Sequence, residues 1–206
     1  MNKFLFATHN LGKLNEAKNF FKLLNIEVIS AKDLHLEAPE ETGTTFIENA
    51  LLKAKYSAKK TGLPVLSEDS GLMINALGGR PGVHSARFAE CNGKFSSQAN
   101  IDRVLHLLKD KPLNLRKAQY YCVMVWLQHA EDPCPKIFEG LWQGEILLYP
   151  QGSNGFGYDS IFYVPEHECS AAELEPTQKN LLSHRGQAFR KLQQYFSQIL
   201  YPTSTQ

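Results

Sequence analysis

Gly62-Leu63-Pro64-Val65-Leu66-Ser67-Glu68-Asp69-Ser70-Gly71 sets a helix stop, a short apolar run and two acids in immediate succession. A glycine stop with a proline just beyond closes the helical pattern before it, and Leu63 to Ser67 then reads as a short strand. That strand runs directly into two acids. Upstream, Thr45-Phe46-Ile47-Glu48 has the Thr-x-x-Glu form in which each side chain caps the other residue's amide, so a helix begins there. Phe46, Ala50, Ala54 and Ala58 recur every four residues as far as Gly62. Further upstream, Lys3 to Ala7 reads as a buried strand, Thr8 to Gly12 as a loop, Lys13 to Leu24 as an amphipathic helix and Glu27 to Ser30 as a second strand.

Downstream, Gly78-Gly79-Arg80-Pro81-Gly82 is turn-rich and Ser97 to Leu108 is helical. Ala118 to Gln128, Lys136 to Glu139 and Leu141 to Leu148 read as consecutive strands, antiparallel because their connections are short. Gly152 to Gly157 holds three glycines in six residues, Ile161 to Val164 is again a strand, Ser183 to Leu200 a last helix, and Pro202 onward a polar tail. Strands alternating with helices imply an α/β fold. With no internal repeat, low-complexity segment or clean linker, residues 1–206 are expected to form a single domain with two lobes.

The 206 residues carry 22 Lys+Arg against 21 Asp+Glu, a net charge of +1. So even a balance supplies no broad basic field and argues against a protein that coats nucleic acid. The longest strongly apolar run, Tyr120 to Leu127, falls far short of the roughly 20 residues a membrane helix needs. Phe4-Leu5-Phe6-Ala7 is too short for the core of a signal peptide. The four cysteines, Cys91, Cys122, Cys134 and Cys169, show no metal-finger spacing and read as reduced thiols, with Cys122 filling a strand. The expected compartment is the cytoplasm.

Four segments could carry chemistry. Thr8-His9-Asn10-Leu11-Gly12-Lys13 lies between a strand and a helix, where free amides, the positive end of the helix dipole and one ammonium favour a phosphate. It lacks the spacing of a Walker A loop, and an ordinary strand–helix turn would look the same. Glu40, Glu41, Glu68 and Asp69 are an acidic set suited to Mg²⁺, a hard ion that takes oxygen ligands and bridges to phosphates. Acids on a solvated loop are the plain alternative. Lys53 shares a helix face with Asn49 and would neutralise phosphate oxygens if that face borders the acids. Gly152 to Asp159 offers an aromatic face for stacking on a base, and Ser183-His184-Arg185-Gly186, preceded by Lys179, offers planar donors for an acceptor oxygen.

Together these segments closely resemble the inosine triphosphate pyrophosphatase family, the dITP/XTP pyrophosphatases, and within it the bacterial branch. The matching pieces are Thr8-x-Asn10-x-x-Lys13, Glu41-Thr42-Gly43-Thr44-Thr45-Phe46-x-Glu48-Asn49-Ala50 and Ser67-Glu68-Asp69-Ser70-Gly71-Leu72. They continue as Leu77-Gly78-Gly79-x-Pro81-Gly82-x-x-Ser85-Ala86-Arg87, Gly155-Phe156-Gly157-Tyr158-Asp159 and Ser183-His184-Arg185-Gly186. They run in order from residue 8 to residue 186. Ser160 stands where many relatives carry proline, and Glu68 where many carry Asp.

The resemblance implies an elongated mixed β-sheet flanked by helices, two lobes with a central cleft, and a homodimer. It implies Mg²⁺-dependent hydrolysis of deaminated purine nucleoside triphosphates (ITP, dITP, XTP) to the monophosphate and pyrophosphate, which cleanses the nucleotide pool. By motif position, Thr8, His9, Asn10, Leu11, Gly12 and Lys13 hold the phosphates. Glu41 and Asp69 serve the metal, with Glu68 a further candidate ligand. Asp69 is the base, aided by Lys13 and Lys53, while Lys53 and Ser70 face the phosphate and sugar. Phe156, Gly157, Tyr158, Asp159, Lys179, His184 and Arg185 surround the base. A nucleotide sensor without turnover and a pyrophosphatase for modified pyrimidines are the competing readings; neither nucleic acid nor membrane is expected as a partner.

Overall fold

The computed structural model describes residues 3–22, 26–89 and 96–200. Seven strands form one sheet: β1 (Lys3–Ala7), β2 (Glu27–Ser30), β3 (Val65–Ile74), β4 (Lys117–Leu127), β5 (Lys136–Ile146), β6 (Phe162–Val164) and β7 (Cys169–Ser170), in the order β2-β1-β3-β4-β5-β6-β7. The helices are α1 (Leu11–Lys22), α2 (Phe46–Thr61), α3 (Ser97–Leu107), α4 (Pro176–Leu182) and α5 (His184–Leu200). β1 pairs in parallel with both β2 and β3, whereas β6 is antiparallel to β5 and β7. The sheet is therefore mixed, as expected of the α/β reading.

By its internal contacts the chain divides into two compact units. The first comprises Met1–Asp69, Val123–Glu139 and Ala188–Gln206; the second comprises Ser70–Cys122 and Gly140–Gln187. An aromatic cluster fills the first: Phe4 meets Phe21 at 4.8 Å and Trp126 at 5.4 Å, and Trp126 meets Phe196 at 5.0 Å, all edge-on. In the second, Leu72 and Ile74 of β3 pack with Val104 of α3 and Leu108 just past its end, and with Tyr120, Trp142 and Phe162.

Arg116 holds the second core from within. It is almost wholly buried, and its guanidinium donates to the carbonyls of Ile146 (2.8 Å), Leu108 and Leu147 (2.7 Å each). Burial lowers its pKa from the ordinary arginine value. Arg116→Met is expected to destabilise the protein by about 3 kcal/mol, because it takes a charged donor away from three carbonyls at once. Chemical denaturation read as a lowered midpoint at unchanged slope checks this.

Several boundaries differ from the sequence reading. α1 starts at Leu11 rather than Lys13, because the Asn10 carboxamide oxygen accepts from the Lys13 amide at 3.1 Å and so caps a helix whose first turn includes Gly12. Its expected end at Leu24 lies outside the described residues, as do Cys91 and the tail from Pro202. β3 does not stop at Ser67 but continues through Glu68 and Asp69 to Ile74. β5 runs unbroken through Gly140, where two strands were expected. A Cβ there would stand 1.9 Å from the His184 carbonyl oxygen, so glycine permits a close approach instead of ending the strand. β7 and α4 carried too few periodic residues to be read. Cys122 is buried in β4 as expected, and Cys122, Cys134 and Cys169 are all free thiols.

Candidate active site

The first unit gathers the phosphate and acid candidates. β1 stays in register with β3 up to Ala7 beside Ser67. Glu68 and Asp69 therefore sit just past the end of β1, level with the loop that opens α1. That loop is ordered by its own side chains. The Asn10 amide donates to Thr8 Oγ1 at 3.2 Å, while the first-turn amides of Leu11 and Gly12 are among those a helix cannot satisfy internally. His9 turns elsewhere: its Nε2 lies 2.7 Å from the Leu36 carbonyl, tying this loop to the strap between β2 and α2. The imidazole thus anchors the segment that leads to Glu41.

Neighbours along a strand leave it on opposite faces, which accounts for the separate partners of the two acids. Glu68, fully enclosed, pairs with Lys13 at 3.1 Å. Asp69 Oδ1 lies 3.1 Å from Lys53 Nζ, and the same ammonium reaches Glu41 Oε1 at 2.5 Å. The other oxygen of Asp69, Oδ2, is buried and has no hydrogen-bond partner among the described residues. Burial raises the Asp69 pKa above the ordinary aspartate value, although Lys53 and then Lys13 pull it down. For Lys53 burial alone would lower the pKa, but Asp69 and Glu41 prevail and the net direction is up. Lys53 is a shared counter-ion for two carboxylates.

Glu41 owes its place to the motif that follows it. Glu48 Oε2 accepts from the amides of Thr44 (2.8 Å) and Thr45 (2.9 Å), and Thr45 Oγ1 accepts from the Glu48 amide, completing the capping box. Asn49, one helical turn before Lys53 in α2, is buried and accepts from the Gly43 amide at 2.8 Å. A Cβ at Gly43 would stand 2.6 Å from that same Asn49 oxygen. Asn49 and Gly43 are positioning residues to which the sequence reading assigned no role, although both lie within the motif that begins at Glu41.

Among the described residues no group of three His, Cys, Asp or Glu side chains is placed to hold a metal ion. Glu68 is engaged with Lys13 and so stands apart from Glu41 and Asp69. Two carboxylates, one with an orphaned oxygen, nonetheless fit Mg²⁺, which is bound by one or two carboxylates together with phosphates and retained water.

The second unit gathers the base candidates. Asp159 is the hub: its Oδ2 accepts from Lys179 Nζ at 2.6 Å and from the Phe156 amide at 2.8 Å. Phe156 is not tucked into the core but 41% exposed. Lys179 and Arg185 stand over its ring at 5.2 and 5.6 Å. Gly155, with φ of +78°, leaves no room for a side chain, since a Cβ would lie 2.2 Å from Asp159 Oδ2. Arg185 also donates to Ser70 Oγ at 3.3 Å, and His184 lies buried against Tyr120. Tyr158 points inward to the Ser85 carbonyl at 2.8 Å, a structural bond rather than an exposed ligand contact. Gly157, with φ of +64°, supplies the turn between Phe156 and Tyr158. Gly186 lets α5 start hard against α4: a Cβ there would lie 1.7 Å from the Asn180 carbonyl oxygen.

Similarity to known proteins extends over nearly the whole chain. A model of the Ham1 family matches residues 4–195. A dITP/XTP pyrophosphatase of Photorhabdus laumondii subsp. laumondii is 46% identical over 192 residues, 93% of this chain and 96% of that protein. One from Vibrio cholerae serotype O1 is 46% identical over 193 residues, 93% of this chain and 95% of that protein. Among solved structures, a HAM1 protein from Coxiella burnetii aligns with a TM-score of 0.89 at 44% identity, covering 96% of this chain and all of that one. The Ham1 protein of Staphylococcus aureus aligns at 0.84 and 38% identity, covering 95% and 98%. Matched along nearly its whole length in sequence and in fold, the chain belongs to the Ham1 family.

Proposed function

We propose that the protein hydrolyses deaminated purine nucleoside triphosphates (dITP, ITP and XTP) to the monophosphate and pyrophosphate, with Mg²⁺, as a homodimer in the cytoplasm. The observation that carries this reading is the Lys53 ammonium held between Glu41 and Asp69, with Asp69 Oδ2 buried and unpartnered among the described residues. Relatives named dITP/XTP pyrophosphatase over more than nine-tenths of the chain support the substrate class.

In the proposed reaction a water oxygen attacks the α-phosphorus in line, the bridging oxygen to the β-phosphorus departs with pyrophosphate, and the water proton passes to Asp69. An aspartate whose pKa is lifted by burial is a better base than an exposed one. Lys13 and Lys53 meet negative charge on the phosphate oxygens, and the first-turn amides of Leu11 and Gly12 add donors. Mg²⁺, held by Glu41 and Asp69, would supply further neutralisation of charge on those oxygens. No nucleophilic side chain is needed, because transfer of this kind depends on position and charge.

Base choice follows from donors. Hypoxanthine and xanthine carry an acceptor oxygen at position 6, where adenine carries an amino group. Donors on His184 and Arg185 pair with the oxygen and face the amino group unpaired, a mismatch that can reject an analogue by several powers of ten. Arg185→Ala is expected to narrow the preference for ITP over ATP by roughly 10- to 100-fold, the worth of one hydrogen bond from a charged donor. An unchanged ratio removes Arg185 from base reading. The defining experiment is pyrophosphate release with Mg²⁺ across ITP, XTP, dITP, ATP, GTP and dUTP. Selective turnover of the first three supports the proposal, and equal turnover of ATP overturns it.

A further inference from the structure

Tyr120 lies in the middle of β4, a strand to which no motif draws attention, and it touches both sides of the base-reading set. Its ring stacks on the His184 imidazole with centroids 4.7 Å apart and planes 6° from parallel. Its hydroxyl donates to Asp159 Oδ1 at 3.4 Å, the oxygen opposite the one that takes Lys179 and the Phe156 amide. The ring is held in turn by Phe162 at 4.7 Å and Trp142 at 6.4 Å, so it has little freedom to move. Burial, and next the negative charge of Asp159, push the phenol pKa well above its ordinary value, which keeps the hydroxyl a donor at all physiological pH.

We propose that Tyr120 is a positioning residue for base selection: one rigid side chain sets the plane of His184 and braces Asp159, which anchors Lys179 and the Phe156 loop. The inference deepens the base-reading role given to these residues above and rests on it. A hydrogen-bond donor discriminates an oxygen from an amino group only if its direction is fixed. A histidine at the start of a helix has its own rotamers, and the parallel ring of Tyr120 selects among them. Asp159 makes three contacts, and the one from Tyr120 is the only one of these from a strand side chain. It ties the glycine-rich loop to the sheet.

The test compares Tyr120→Phe and Tyr120→Leu with the wild-type enzyme, using dITP and dATP with Mg²⁺. Tyr120→Phe keeps the stack and loses the hydroxyl; the expected result is a rise of about threefold in KM for dITP with kcat nearly unchanged. Tyr120→Leu loses both. It is expected to raise KM by about tenfold or more and to lower the dITP-to-dATP ratio of kcat/KM by a similar factor. A residue with only a packing role would lower the melting temperature and leave the ratio alone. The Hε1 proton of His184 gives a readout apart from activity: ring current from Tyr120 shifts it in wild type and in Tyr120→Phe, but not in Tyr120→Leu. If Tyr120→Leu folds with wild-type KM and ratio, the inference is overturned. If it fails to fold, wild-type KM and ratio in Tyr120→Phe overturn the bracing of Asp159, and an unshifted His184 signal in that variant overturns the stack. A wild-type enzyme that does not prefer dITP overturns the base-reading proposal itself, and this inference with it.

Discussion

Asp69→Asn is expected to lower turnover of dITP at saturating Mg²⁺ by about 10³-fold while leaving the protein at least as stable as wild type at pH 7. The loss follows from removing the proposed base, whose contribution in such positions is typically 10²–10⁴. The stability follows from the direction of the Asp69 pKa. A carboxyl whose folded pKa lies above its unfolded value favours folding fully below that unfolded value, and the favour is lost as pH rises through the folded one. At neutral pH the ionised Asp69 is therefore a cost that the amide does not carry, so function here works against stability. Turnover near wild type in Asp69→Asn, or a large fall in its melting temperature, counts against the role.

Lys53→Met is expected to be the second most damaging change, and the only one of the two to impair folding and catalysis together. Its ammonium pairs Glu41 and Asp69 at 2.5 and 3.1 Å. Removing it leaves two carboxylates facing one another without a cation between them. Turnover should fall by roughly 10²–10³-fold through lost charge stabilisation. Stability should fall by about 1–2 kcal/mol at pH 7, a discounted figure for a partly solvated pair. The raised Lys53 pKa means its contribution is full below the ordinary lysine value of 10.5 and fades as pH rises through the folded one. The deficit of the variant should thus shrink on acidification, as Glu41 and Asp69 protonate and cease to repel. Melting temperatures of both proteins from pH 4 to pH 8 measure this. A deficit that does not depend on pH would mean that packing of the lysine stem is what was lost.

Much of the site is readable from local chemistry. The capping box at Thr45 and Glu48, the glycine stop at Gly62 and the buried strand at Lys3–Ala7 are short-range patterns, and each appears where it was read. The motifs of the resemblance are likewise short. Where reading failed, long-range contacts had overruled a local signal. Glu68 and Asp69 looked like the end of a strand because charge is costly in a sheet interior, yet β3 continues because Lys13 and Lys53 neutralise them from two helices. Gly140 looked like a break because glycine has no strand preference, but it admits the His184 carbonyl. His9 reads only by its place in the phosphate loop, and the contact of its Nε2 with the Leu36 carbonyl, 27 residues away, is not legible from local spacing.

From sequence alone, then, come the α/β class, the helix starts and stops that obey capping chemistry, and the kinds of side chain available for phosphate, metal and base. Their pairing does not. That one lysine serves both Glu41 and Asp69, that Asp69 keeps an oxygen without a partner, and that Tyr120 lies flat on His184 depend on elements distant along the chain meeting in space. Spacing rules reach only a helical turn or a strand step, whereas these contacts are settled by how the sheet and its helices pack.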